Sequence, residues 1–191
     1  MKVSFIVPVY NTEYQILRIC VNSILHCVRD QHELILVDDA STSSGTLDFL
    51  RKLSSQFDFP IKLIRNPENF GVSYSLNKGI AESKGNFIAP VDHDDLVIPA
   101  GFLAAVRYQQ YFGTNWLYTD EQQVDRKGYL INNFFKPEFS YQMLRSVMYI
   151  NHLQVFSREL FDQVNGYREG FEGSQDHDLA LRMSEFVTPH H

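Results

Sequence analysis

Residues 85–96, Gly-Asn-Phe-Ile-Ala-Pro-Val-Asp-His-Asp-Asp-Leu, carry an apolar run that ends abruptly in acid. Phe87 to Val91 has the length and composition of a buried strand, and Asp92-His93-Asp94-Asp95 follows it without a spacer. Upstream, the same grammar repeats. Val3 to Val9 (VSFIVPV) reads as a buried strand closed by a turn at Asn11-Thr12, and Leu34 to Val37 is a strand that stops at Asp38-Asp39. Ile61 to Ile64 is a third strand, followed by the turn residues Asn66-Pro67-Glu68-Asn69.

Between these runs the apolar period changes to that of a helix. Ile16, Leu17, Ile19, Cys20, Ile24 and Leu25 recur at helical spacing between Glu13 and Val28. Ser41 to Ser44 offers caps for a helix carrying Leu47, Phe49, Leu50 and Leu53. Phe70 to Ser83 reads as a helix stopped at Lys84-Gly85-Asn86, and Pro99 suits the first position of another that reaches Phe112-Gly113. Strands alternating with helices over residues 1–114 imply βαβ units and a mostly parallel sheet.

After Asn115 the rhythm changes. Trp116 to Thr119 is strand-like, and a polar, aromatic-rich stretch to Lys136-Pro137 predicts an antiparallel hairpin and loop. A short helix over 140–147, a strand over 153–156, a capped helix from Ser157 to Val164 and a last helix from Gln175 to Phe186 complete the reading. The expected class is α/β, with a small antiparallel element in the C-terminal half.

The 191 residues suit one domain with a full-sized core, and 44% hydrophobic with 21% charged residues is ordinary for a globular chain. A formal net charge of -6 argues against nucleic acid as a partner, but not against an anionic small molecule held through a cation. Cys20 and Cys27 share an apolar helical stretch without metal-ligand spacing, which predicts buried, reduced thiols. The start lacks the apolar stretch of a signal peptide, and no apolar run approaches the roughly 20 residues that span a bilayer. The expected location is cytoplasmic, with peripheral contact at the inner face of the cell membrane left open.

Ligands of open parallel sheets bind at the carboxyl ends of the strands. Here those ends carry Pro8-Val9-Tyr10-Asn11, Asp38-Asp39 and Asp92-His93-Asp94-Asp95. Carboxylates gathered on one rim repel one another, and a divalent cation with a diphosphate offsets that repulsion. Hard oxygen ligands suit Mg²⁺ or Mn²⁺, which predicts metal ligation by Asp92 and Asp94. The competing reading is that Asp94 or Asp95 merely caps the helix at Pro99.

The ordered segments VSFIVPVYN, ELILVDDAS, NFGVSYSLNKGI, GNFIAPVDHDDL and GSQDHDLALR resemble the family 2 glycosyltransferases over nearly the whole chain. The segment YTDEQQVDRKGYLINNFFKPEFS looks similar to bacterial members that build O-antigen, capsule or other surface polysaccharides. The resemblance implies the GT-A fold, a Rossmann-like, mostly parallel central sheet flanked by helices. It implies an inverting transfer from a UDP-, GDP- or dTDP-linked sugar to a glycan or lipid-linked acceptor. On that basis residues 1–114 form the nucleotide-sugar half and 115–191 the acceptor and catalytic-base half of one domain.

Carried over residue by residue, the resemblance sets Pro8 against the nucleoside, with Tyr10 and Asp39 meeting the base. Asn77 and Lys78 line the donor side, Asp92, His93 and Asp94 hold the diphosphate, and Asp38 holds a turn. Leu76 stands where the family often has arginine. Gly173-Ser174-Gln175-Asp176-His177-Asp178 resembles the family's Glu-Asp motif with Gln175 for glutamate, which makes Asp176 the general base. The helix N-terminus there is expected to keep Asp176 ionised, although a weak base. Asp178 and His177 are read as structural, and His152 as an ordinary histidine beside the acceptor patch. A later family histidine lies past the last helix; His190 and His191 fall near that position, where the C-terminal half looks cut short.

Other chemistries fit less well. A sugar nucleotidyltransferase needs a Gly-rich basic loop where Tyr10-Asn11-Thr12-Glu13 stands, and a dehydrogenase needs G-x-G-x-x-G there. A haloacid-type phosphatase carries Asp-x-Asp after its first strand rather than its fourth. A donor-binding module without catalysis would have no use for Asp176.

Overall fold

The computed structural model describes residues 1–28, 31–56 and 61–191. Strands β1 (Val3–Val9), β2 (Glu33–Asp38), β3 (Ile61–Arg65) and β4 (Phe87–Pro90) run parallel, as the alternation predicts. The later strands β5 (Trp116–Tyr118) and β8 (Gln154–Ser157) extend the sheet, whose order is β3-β2-β1-β4-β8-β5. β8 runs antiparallel to both β4 and β5, inserting between two strands that precede it in sequence. A separate antiparallel pair, β6 (Glu121–Val124) with β7 (Leu130–Phe134), is the expected hairpin.

β1 and β2 are buried along their whole length, which is why both read as unbroken apolar runs. Successive side chains nonetheless serve opposite layers. Phe5, Val7, Val9, Leu34 and Leu36 join the core beneath α1 (Tyr14–Leu25), α2 (Ser44–Gln56) and α4 (Pro99–Phe112). Ile6, Ile35 and Val37 face the other core, built with α3 (Val72–Ala81), α5 (Tyr141–Ser146), α6 (Arg158–Gln163) and α7 (Gln175–Met183). Pro99 opens α4, and Gly113 ends it in the left-handed region at φ 66°. Ser140 and Ser157 cap α5 and α6 by accepting from the Met143 and Leu160 amides.

α3 lies directly on the sheet because Gly79 has no side chain. A Cβ there would sit 2.6 Å from Ile6 Cγ2 and 2.9 Å from Val37 Cγ2. Gly79→Ala is therefore expected to destabilise the domain by about 1–3 kcal/mol despite alanine's better helix propensity. In thermal unfolding that is a drop of roughly 2–4 °C per kcal/mol for a chain of this size. An unchanged melting temperature would mean that α3 can lift off the sheet at no cost.

The C-terminal histidines pack against β5. The His190 backbone pairs with Trp116 and Tyr118 at the outer edge of β5, and its ring meets the Tyr108 hydroxyl. His191 bonds Asp120 at 2.8 Å and stacks on Tyr118. Edge pairing on β5 fixes both histidines beside Tyr118 and Asp120. Among the described residues no helix is long and apolar enough to cross a membrane.

Candidate active site

The carboxyl ends of β1, β2 and β4 converge on a cleft of about 390 Å³. Pro8, Tyr10 and Asp39 line one end, Asp92, His93 and Asp94 the other, and Gln175 closes it from α7. The first two loops are stitched together by Asn11, whose side-chain oxygen accepts from the Thr42 and Ser43 amides. That leaves the Tyr10 ring 47% exposed at the rim. Asp38 is buried and holds its turn, accepting from the Ser41 amide with Arg65 at 3.5 Å, the structural role expected of it.

Asp39 is buried but organised toward the cleft. Its Oδ1 accepts from Asn66 Nδ2 at 2.7 Å and the Phe70 amide at 3.0 Å, and its Oδ2 from the Gly71 amide at 2.8 Å. Lys78 does not reach the cleft lining; its Nζ donates to Asn66 Oδ1 at 2.8 Å. Lys78 therefore orients Asn66, which in turn holds Asp39. Asn77 also departs from the expected donor contact. Its amide donates to the Tyr167 carbonyl at 2.8 Å and accepts from the Tyr167 amide at 2.9 Å, so both ends are spent on backbone. Leu76 is buried in the core.

At the acidic end the turn is closed by the Asp95 amide donating to the Asp92 carbonyl. His152 stands between two carboxylates, Nε2 3.7 Å from Asp92 and Nδ1 3.6 Å from Asp95. One ligand atom from each of these three residues falls within 4.8 Å of the others, a spacing suited to a cation. The sequence leaves Asp95 open between a helix cap and a rim carboxylate and marks His152 as an ordinary histidine. It gives no sign of the pairing because β8 brings residue 152 back beside β4, a placement without a local signature. Asp94 lies outside this cluster, lining the cleft beside His93, whose Nδ1 is shielded and lacks a hydrogen-bond partner.

Burial pushes the Asp95 carboxyl above its ordinary range, His152 opposes the shift, and Asp92 and Asp94 add to it. Beneath the turn the Cys20 thiol donates to the Asp92 carbonyl at 3.4 Å. Burial first, then Asp95, Asp94 and Asp92, push it up to about 12, so it stays a protonated apolar floor. Cys27 is likewise buried and raised to about 12. Both thiols match the sequence reading.

Asp176 opens α7 and joins the same electrostatic group. Its carboxyl is raised above the usual range by burial and then by the Asp92 charge, while His152 and hydrogen bonds from Tyr167 and Asn151 pull it back. Desolvation and a like charge act against the helix N-terminus and make the carboxylate a stronger base than an exposed one. Gln175 holds the arrangement, its Oε1 accepting from the Gly173 amide at 2.7 Å and its Nε2 reaching Asp176 at 3.2 Å. Asp178 pairs with Arg182 at 2.6 Å and Arg168 at 3.3 Å, and His177 bonds the Leu144 carbonyl, so both serve structure as read.

A parallel sheet with an acidic turn after its fourth strand, met across the cleft by the start of a late helix, is the arrangement of GT-A glycosyltransferases. Solved structures of similar shape include Staphylococcus aureus TarS 1-349 in complex with UDP-GlcNAc. It has a TM-score of 0.77 and 20% identity, over 96% of this chain and 53% of that one. Mannosyltransferase PcManGT from Pyrobaculum calidifontis in complex with GDP-Man and Mn²⁺ gives 0.74 and 21%, over 98% and 53%. The chain belongs to glycosyl transferase family 2, whose sequence profile matches residues 4–164.

Its relatives include the O-antigen biosynthesis protein RfbC of Myxococcus xanthus, 35% identical over 96% of this chain, and a chondroitin synthase of Escherichia coli, 29% identical over 96%. EpsE of Bacillus subtilis (strain 168) is 39% identical over 96% of the chain and 67% of its own length. The chain spans only 14% of RfbC and 26% of the chondroitin synthase.

Proposed function

We propose that this domain transfers a sugar, with inversion, from a nucleoside-diphosphate sugar to a hydroxyl of a glycan or lipid-linked acceptor in bacterial surface-polysaccharide synthesis. The observation that carries the reading is the cleft itself: Asp39 and the acid turn Asp92-His93-Asp94 line it together, and α7 reaches it through Gln175, whose side-chain amide bonds the Asp176 carboxylate. Inversion is one in-line displacement at the anomeric carbon, and it needs one base for the incoming hydroxyl proton. Asp176 takes that proton. Burial makes it a stronger base than a free carboxylate, and Tyr167, Asn151 and Gln175 fix its direction.

Asp92 and Asp94 would hold a divalent cation with the diphosphate, and Asp95 and His152 cluster with Asp92 at a spacing that suits an ion. The residues fit such an ion, because Asp92, Asp95 and His152 bring ligand atoms within 4.8 Å of one another and the neighbouring carboxylates crowd one another. When bound, the cation supplies counter-charge to the departing diphosphate. The donor complexes of TarS and PcManGT, the latter with Mn²⁺, support this choice of ligand. The names of RfbC and the chondroitin synthase support polysaccharide synthesis.

Asp39 favours the base. A carboxylate offers about four acceptor positions, and three are taken by Asn66, Phe70 and Gly71. One remains for the cleft, matching the single imide N–H of uracil or thymine better than the adjacent donors of guanine. In a thermal-shift titration with Mn²⁺, UDP and dTDP are expected to stabilise the domain at lower concentration than GDP. Equal midpoints would discard the base preference, and no response to any of the three would discard the donor site.

A further inference from the structure

The β6–β7 hairpin takes no part in the chemistry described so far, yet it is fixed to both ends of the cleft. At its root, the His152 amide donates to Glu121 Oε2 at 2.9 Å, and Lys136 bonds the Asn151 carbonyl and pairs with Glu121 at 3.0 Å. At its tip, Arg126 lies 3.8 Å from Glu13, just past the Tyr10-Asn11-Thr12 loop. The hairpin therefore reaches from the histidine touching Asp92 and Asp95 to the loop at the base-binding end.

Its surface is open and of one chemical kind. Every residue of β7 is exposed, Ile131 at 67%, and so are its flanking residues Tyr129 at 70% and Phe135 at 81%. The amides of Gln122 and Asn133, bonded to each other at 2.8 Å, share the face of these side chains, and Gln123 pairs with Asn132 on the opposite face. The charges are largely spent within the fold: Glu121 on Lys136, Arg126 on Glu13, and Asp125 on the amides of Lys127 and Tyr129. Lys127 alone is a poor attractant for an anionic membrane, which calls for several cations. Apolar area of this extent on a two-stranded ribbon marks a binding surface.

We infer that the hairpin is a platform for a neutral oligosaccharide acceptor, a reading that rests on the sugar transfer proposed above. A pyranose ring presents a C–H face that packs on an aromatic ring and hydroxyls that pair with side-chain amides, each both donor and acceptor. The hairpin supplies both groups along the mouth of the cleft, and its root abuts the cluster next to Asp176. A chain of sugars lying along it brings its terminal hydroxyl to the base.

Saturation-transfer NMR with maltohexaose, cellohexaose and chitohexaose, in the presence of UDP and Mn²⁺, tests this on the intact chain. At least one hexasaccharide is expected to bind the parent, and Tyr129→Ala with Phe135→Ala is expected to weaken it about fivefold or more, the weight of exposed aromatic contacts. The stabilisation by UDP and Mn²⁺ should be equal in both proteins, because neither ring lines the donor cleft. Equal saccharide signals in variant and parent, or none in either, overturn the platform while leaving the donor reading standing. So does sedimentation of the parent with phosphatidylserine vesicles that the double substitution abolishes, in the absence of saccharide binding. A parent that responds to no nucleotide removes the underlying reading and the platform with it.

Discussion

Asp176→Asn is expected to lower sugar transfer by roughly 10²–10⁴-fold, the usual weight of a positioned general base, while metal-dependent stabilisation by a nucleoside diphosphate persists. The substitution keeps size and removes the proton acceptor. Donor binding survives because the groups that line the nucleotide end, Pro8, Tyr10 and Asp39, are untouched. The pH profile carries a second signature. Burial, the largest cause, raises the folded-state pKa of Asp176, so the rate should fall, as pH drops, at a value above the ordinary carboxylate range. Tyr167 donates to this carboxylate and lowers its pKa; Tyr167→Phe removes the donor and should move the acid limb to still higher pH. Transfer by the asparagine variant at the parental rate would take Asp176 out of the role.

The other large effect is expected at Asp92. Its carboxylate stands 3.7 Å from His152 and raises the pKa of Asp95, Cys20 and Asp176 together, which makes it the electrostatic hub of the site. Asp92→Asn should weaken the metal by at least about 100-fold, since even groups that only support metal ligands are worth about 10–100-fold. Stabilisation by UDP with Mn²⁺ should then vanish over the concentrations that suffice for the parent, and transfer should fall with it. The ligand-free domain is expected to melt no lower than the parent, because the change relieves repulsion among neighbouring carboxylates. Undiminished Mn²⁺-dependent stabilisation in this variant would place the cation elsewhere.

Much of the site was legible before the fold, and for one reason. The acids at 38–39 and 92–95 follow apolar runs directly, and in a parallel sheet such positions are carried to a common edge. Pro8, Tyr10, Asp39, Asp92, His93 and Asp94 duly line one cleft. The readings that changed concern what each side chain spends its hydrogen bonds on. Asn77 is consumed by Tyr167, 90 residues away, and Lys78 by Asn66. Neither partner is hinted at by position along α3, where both residues simply look polar.

Local periodicity was enough to determine the alternating strands and helices, their direction in the sheet, the cap at Ser157, and the edge on which chemistry collects. Only the tertiary structure decided that β8 enters between β4 and β5, that His152 thereby meets Asp92 and Asp95, and that desolvation and the Asp92 charge raise the Asp176 carboxyl above its usual range. The division has a physical cause. Hydrophobic period and turn chemistry act over a few residues, whereas desolvation and charge–charge coupling depend on which distant segments the packed core brings within a few ångströms.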